Sequence, residues 1–165
     1  MTLAYVSGGS NLDVEPSLLL AARALKAAYP GARFSRVYRN PAVGFEGPDF
    51  LNFVVALPVE GEPGALKAEL ERIEGLCGRP RYAPKWAPRS MDLDILLFGE
   101  VVLNMPGLVI PRPQLTNWAF MLGPLAELAP DVVHPTAHQA VGELWRRFNQ
   151  AEHPLHPVPL DLQSA

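Results

Sequence analysis

Asp49-Phe50-Leu51-Asn52-Phe53-Val54-Val55-Ala56-Leu57-Pro58 is the most strand-like stretch of the chain, dense in phenylalanine and valine and uncharged after its first residue. Aromatic and β-branched side chains fit a pleated surface packed against other elements, so 49–58 is expected as a strand. Asn52 stands out within it. An amide inside an apolar strand demands hydrogen-bond partners, because polar groups are rarely left unpaired when buried.

Upstream, residues 2–7 read as a buried strand, closed by a turn at Gly8-Gly9-Ser10-Asn11 that leads into a helix. Asp13 and Pro16 suit the first turn of that helix. Leu18, Ala22, Leu25 and Tyr29 recur at spacings of three to four and give it one apolar stripe, and Pro30-Gly31 stops it. A second strand is expected over 33–39, followed by a loop from Asn40 to Pro48. Downstream, Pro63 opens a second helix with Leu66, Leu70, Ile73 and Cys77 on one side and Gly78 just past its end. Three prolines between Arg79 and Ser90 preclude a regular element. A strand resumes at Met91–Phe98, and a short one over Val101–Asn104 belongs to a small extra hairpin. Further helices are expected within Trp118–Leu128 and Gln139–Gln150.

This βαββαβ order is that of a ferredoxin-like α+β sandwich with additional helices. Two helices are expected on one face of a mainly antiparallel sheet. Residues 1–150 form the domain, and 151–165, with Pro154, Pro157 and Pro159, is expected as an extended tail.

At 165 residues the chain fits one domain able to bury its own core. Its net charge of −3, from 14 basic and 17 acidic residues, argues against nucleic acid as a partner. Cys77 is the only cysteine, which excludes an internal disulfide and a thiolate metal cluster; it reads as a small apolar filler. No apolar run reaches the roughly 20 residues needed to span a bilayer, and no charged segment precedes Leu3–Val6. A cytoplasmic protein without a membrane partner is expected, working as a monomer or else as a homodimer.

Asp92-Leu93-Asp94 precedes the apolar run Ile95-Leu96-Leu97-Phe98. On a strand the two aspartates point the same way, roughly 7 Å apart along the backbone. Two carboxylates there repel each other and lose hydration, and a divalent cation offsets both costs; carboxylate, water and phosphate oxygens suit Mg²⁺. Taken alone, the pattern reads better as a solvated strand end, because D-x-D is common. Its context is more telling: from Gly75 to Met91 there is no acid, while Arg79, Arg81, Lys85 and Arg89 are all present. Guanidinium forks match phosphate oxygens. Basic loop and carboxylate pair together point to a metal–nucleotide site.

Lys85-Trp86-Ala87-Pro88-Arg89-Ser90-Met91-Asp92-Leu93-Asp94-Ile95-Leu96 resembles the signature of the 6-hydroxymethyl-7,8-dihydropterin pyrophosphokinase family of folate biosynthesis. The similarity runs from Ala4-Tyr5-Val6 and Gly9-Ser10-Asn11 through Tyr38-Arg39-Asn40-Pro41, Phe50-Leu51-Asn52 and Arg72-Ile73-Glu74. It continues through Gly78-Arg79 to Phe120-Met121-Leu122 and Pro124-Leu125. The resemblance implies that Asp92 and Asp94 hold two Mg²⁺ ions bridging the phosphates of ATP, and that Arg79, Arg81 and Arg89 neutralise those phosphates and assist transfer. For ATP it implies Glu71, Glu74, Arg81, Trp86, Arg89, Ile95, Arg112 and Pro113. For the pterin it implies Asn40, Pro41, Val43, Phe50, Asn52, Trp86 and Phe120. Strand alternation independently puts Phe50 and Asn52 on one face, a ring beside an amide, although Phe50 and Phe120 taken alone read as core packing.

The reaction implied is transfer of pyrophosphate from ATP to the pterin hydroxymethyl group, with AMP leaving. No general base stands out. His134, His138, His153 and His156 read as surface or turn histidines. Three departures from the family pattern are visible: Arg112 where histidine is usual, Trp118 where arginine is usual, and Asn40 where threonine is common. Arg112 and Trp118 are expected on the nucleotide side. They motivate an alternative, a catalytically weak relative that binds pterin or nucleotide as a sensing or partner module. A ferredoxin-like RNA-binding domain is a third reading, disfavoured by the acidic balance and the lack of an aromatic–basic RNA motif.

Overall fold

The computed structural model describes residues 1–11, 14–41, 47–78 and 91–165. Within them the chain forms β1 (Thr2–Ser10), α1 (Val14–Ala28), β2 (Arg33–Phe34), β3 (Val37–Asn40), β4 (Phe50–Val59) and α2 (Pro63–Leu76). There follow β5 (Asp92–Phe98), β6 (Leu103–Met105), β7 (Leu108–Ile110), a 3₁₀ turn at Pro113–Thr116, α3 (Ala119–Leu128), α4 (Val141–Arg147) and β8 (His156–Val158). The expected Val43, Arg79, Arg81, Trp86 and Arg89 lie outside the described residues, as do Asp13 and Lys85.

β4 is apolar on both faces, so it must be covered on both. Phe53, Val55 and Leu57 face one buried cluster, while Val54 and Ala56 face another. The first cluster is closed by Leu18, Ala22 and Leu25 of α1 and by Leu66, Leu70 and Ile73 of α2. These are the stripes legible in the sequence, and both helices lie on one face as expected. The second cluster joins Tyr5, Leu96 and Leu97 to Met121, Leu122 and Leu125 of α3 and Val141 of α4. The sheet is thus sandwiched between two helical layers. α3 is apolar almost all round, as a helix caught between a sheet and another helix must be.

Strands run in the order β5-β1-β4-β3-β8, with β2 also pairing β4, and the pairings are antiparallel. The hairpin β6–β7 stands apart from this sheet. Residues 156–158 of the expected tail add β8 beside β3, and Leu162 beyond it is buried.

The expected turn at Gly8-Gly9-Ser10-Asn11 is corrected: β1 continues straight through Gly8 and Gly9 to Ser10. Gly8 lies opposite Phe53 and Leu93, and Gly9 opposite Asn52 and Asp92. A Cβ on Gly8 would overlap the Phe53 ring, and one on Gly9 would overlap Asn52 Oδ1. The two glycines therefore mark close approach inside a sheet rather than a reversal.

The single strand expected over 33–39 is divided. Phe34 pairs Val55 but Tyr38 pairs Asn52, so one extra residue is taken up between them. Ser35 bridges this bulge: its N–H donates to Val54 O at 2.8 Å, and its Oγ accepts the Val54 N–H at 2.9 Å. A bulge reverses which side chains face which way. Phe34 and Val37 both enter the α1/α2 core, and Tyr38 and Asn40 turn to the α3 face.

Candidate active site

β5 presents its aspartates by plain alternation. Leu93 and Ile95 are buried in the α1/α2 core, while Asp92 and Asp94 lie on the opposite face and are half-buried. Asp92 is level with Gly9, and Asp94 with Ser7. Glu74 of α2 accepts the Leu93 N–H, between the two aspartates, at 2.7 Å, which fastens α2 to this edge strand.

Beyond Ile95 the β1–β5 register shifts by one. The carbonyl of Leu96 accepts the Arg112 N–H at 3.0 Å, drawing the segment after β7 against β5. Arg112 Nη1 then lies 3.1 Å from Asp94 Oδ1 in an ion pair about one-third exposed on the arginine side, at 34%, and 23% on the other. Arg112 Nε is buried and has no hydrogen-bond partner among the described residues.

A cavity of about 780 Å³ opens here, lined by Asp92, Asp94, Ile95, Glu71, Glu74 and Arg112 among others. Six residues implied by the resemblance therefore share one cleft. Pro113 begins the adjacent 3₁₀ turn. The cleft also includes Lys67, Leu108 and Val109, which sequence reasoning missed. Lys67 was legible in principle: it sits one turn before Glu71 on α2 and pairs with it at 2.5 Å. Leu108 and Val109 carried no signal, because they belong to the hairpin strand that was not expected. Among the described residues there is no group of three or more histidine, cysteine, aspartate or glutamate side chains able to hold a metal. A cation bound by this aspartate pair would have to share its remaining positions with water and phosphate, the ligand mix that hard dications favour.

The second half of the site lies on the same sheet face, toward β3. Asn52 Nδ2 donates to Asn40 Oδ1, and Asn40 Nδ2 donates to Pro41 O at 3.1 Å. Both asparagines are buried, and Phe50 lies directly opposite Asn40. α3 is tied above them: Glu127 accepts from Tyr38 Oη and from the Arg36 N–H, the latter at 2.9 Å. Burial and the Glu127 carboxylate push the Tyr38 phenol up to about 12, so it remains a donor. Asn40, Pro41 and Phe120 line a mostly apolar cavity of about 470 Å³.

Trp118 lines that same cavity, with its ring 5.2 Å from that of Phe120. Trp118 therefore stands with Asn40, Pro41 and Phe120 and not in the cleft beside Asp94. Arg112 and Trp118 flank the 3₁₀ turn, and they diverge to different cavities. The far wall of the 470 Å³ cavity is Glu152–His156, from the expected tail.

His134 is a turn histidine, one of the two expected settings, but it is buried and not on the surface. Its Nδ1 accepts the Ala137 N–H at 3.0 Å within a turn where His138 adopts φ 57°. Burial, then His138, lowers its pKa. His153 and His156 border the 470 Å³ cavity. Cys77 is buried, and burial raises its thiol pKa, consistent with an inert filler.

Residues 5–130 match the family profile of 7,8-dihydro-6-hydroxymethylpterin-pyrophosphokinase. The chain is 40% identical over 125 residues to the 2-amino-4-hydroxy-6-hydroxymethyldihydropteridine pyrophosphokinase of Synechocystis, covering 76% of this chain and 64% of that one. It is 35% identical over 152 residues to the enzyme of the same name from Haemophilus influenzae, covering 90% of this chain and 94% of that one. Among solved structures, wild-type Plasmodium falciparum HPPK-DHPS crystallised with pteroate superposes with a TM-score of 0.70 at 14% identity, over 88% of this chain and 42% of that one. That likeness speaks to the fold. With this match over most of its length, the chain belongs to the 7,8-dihydro-6-hydroxymethylpterin-pyrophosphokinase family.

Proposed function

We propose that this chain transfers pyrophosphate from ATP to the hydroxymethyl group of 6-hydroxymethyl-7,8-dihydropterin, releasing AMP, as a step of folate biosynthesis. The observation that carries this reading is the presence of two unlike cavities, one at the β5 edge beside α2 and the other between β3 and the start of α3. One is charged and flanked by Asp92 and Asp94; the other is apolar and bounded by Asn40, Pro41 and Phe120. ATP takes the first, with Glu71, Glu74, Ile95, Arg112 and Pro113 around it. The pterin takes the second, stacking against Phe120 and Phe50, with the Asn52 amide on its aminopyrimidinone edge.

Asp92 and Asp94 hold Mg²⁺, which the reading takes to be two ions. Bound there, the metal supplies neutralisation of the triphosphate charge. Arg79, Arg81 and Arg89 are assigned the same task toward the phosphates, Trp86 a place between the two substrates, and Val43 a contact with the pterin. The protein's work is otherwise alignment: the pterin hydroxymethyl oxygen is brought in line with the β-phosphorus, and the β–α bridging oxygen leaves with AMP. The chain is read as a cytoplasmic monomer.

The test is incubation of the purified chain with ATP, Mg²⁺ and the hydroxymethyl pterin, following AMP and pterin pyrophosphate. AMP formed only when both substrates and the metal are present supports the reading. Binding heat with both ligands but no AMP would replace the enzyme with a sensing or partner module.

A further inference from the structure

We propose that Arg112 is a resident counter-ion for Asp94 that holds the metal site closed until a nucleotide polyphosphate draws the guanidinium away. The inference rests on the metal–nucleotide reading of the cleft and deepens it, by assigning an order to the binding of its two ligands.

Arg112 is anchored by its backbone. Its N–H is bound to Leu96 O, Ile110 two residues earlier is buried, and the Leu115 N–H returns to Arg112 O at 3.1 Å. These contacts fix the Cα beside β5, so the side chain falls across the mouth of the aspartate pair. Nη1 takes one oxygen of Asp94. That oxygen is among those a dication at this pair would use. Guanidinium and dication repel each other at such a separation, so the two compete for the carboxylate.

The guanidinium is also incompletely satisfied where it lies. Its Nε–H is buried with no acceptor among the described residues, although an arginine can place all of its donors on oxygen. A triphosphate in the adjoining cleft offers several anionic oxygens in the fork geometry that arginine matches. Moving Arg112 onto a phosphate would take this cation off Asp94 Oδ1 and give the Nε–H an acceptor together. Nucleotide and metal then promote each other's binding, and metal alone binds poorly. By linkage the coupling is the same read from either ligand.

Mn²⁺ serves as the probe. The free ion is titrated by electron paramagnetic resonance against the whole, nucleotide-free chain, as wild type, Arg112→Ala and Asp94→Asn. Arg112→Ala is expected to bind Mn²⁺ about 5- to 10-fold more tightly than wild type, within the range of ordinary binding couplings. The gain in Mn²⁺ affinity that α,β-methylene-ATP produces in wild type should shrink by the same factor. Arg112→Lys should fall between. A merely structural loss would weaken the metal site, so tightening cannot come from damage. Equal or weaker Mn²⁺ binding by Arg112→Ala would overturn the proposal, and so would tightening with an undiminished nucleotide effect. If Asp94→Asn binds Mn²⁺ as wild type does, the metal assignment fails and this inference with it. If the affinities follow the expected order while no AMP forms, the reaction is wrong and the counter-ion stands.

Discussion

Asn52 of β4 donates its side-chain amide to Asn40 of β3, diagonally across two neighbouring strands, and both residues are buried. Asn40 lines the apolar cavity, and Asn52 behind it fixes the Asn40 amide, so the pair acts as one polar unit. Asn52→Ala deprives Asn40 of its donor and is expected to cost about 1–3 kcal/mol of stability. Pterin affinity should fall about tenfold, the equivalent of one hydrogen bond. Thermal melts and pterin titration measure the two effects separately. Unchanged pterin affinity in a folded variant would remove Asn52 from the site.

Trp118 and Phe120 make one aromatic wall, and Arg112 faces the other cleft. Trp118→Ala should therefore weaken pterin binding about 2- to 10-fold, the usual scale of an aromatic pair, and leave ATP affinity within twofold. Calorimetric titration with each ligand decides it. The opposite ordering would return Trp118 to the nucleotide side.

Asp94→Asn keeps the shape of the side chain but removes half of the aspartate pair's charge. Metal-dependent AMP formation is expected to drop by at least about 100-fold, with the far-ultraviolet dichroism unchanged. Full turnover by the variant would contradict the role proposed for this carboxylate.

Gly8 and Gly9 predict graded damage. Gly8→Ala drives a methyl into the Phe53 ring, fully buried at the centre of the core, and is expected to cost about 1–3 kcal/mol. Gly9→Ala instead meets Asn52 Oδ1. Its cost should appear partly as lost stability and partly as lost pterin affinity. Denaturant titration beside ligand titration separates the two; equal pterin affinity in Gly9→Ala and wild type would detach that contact from binding.

His134 predicts an acid dependence. Its folded pKa lies below the ordinary value of 6.5, so the unfolded chain binds the proton more readily. Stability contributed by the neutral ring is complete above about pH 6.5 and declines as pH falls toward the lowered folded value. His134→Gln should flatten this part of the profile between about pH 7 and 5. Melting temperatures across that range test it, and an unchanged slope would assign the dependence elsewhere.

The helical stripes at Leu18, Ala22 and Leu25 and at Leu66, Leu70 and Ile73 were legible because each helix buries a single face. So was the alternation of Asp92 and Asp94 against Leu93 and Ile95. Gly8 and Gly9 misled because glycine marks a turn and a close approach with the same letter; the decider, the Phe53 ring, is more than forty residues away. That Trp118 and Arg112 line different cavities was not legible for a related reason. A one-turn 3₁₀ segment separates it from Arg112, and only the packing of α3 sets which cavity each residue enters. Lys67 was available from helical spacing alone. The hairpin residues Leu108 and Val109 were not.

The bulge at Ser35–Arg36 has one more consequence. It works as a parity bit: with the extra residue present, Val37 faces the α1/α2 core, and Tyr38 and Asn40 face the α3 side. A one-residue deletion there would relabel every position from 37 to 40, burying what should meet the ligand and exposing what should hold the sheet. Length should therefore be more tightly held than identity in these few residues.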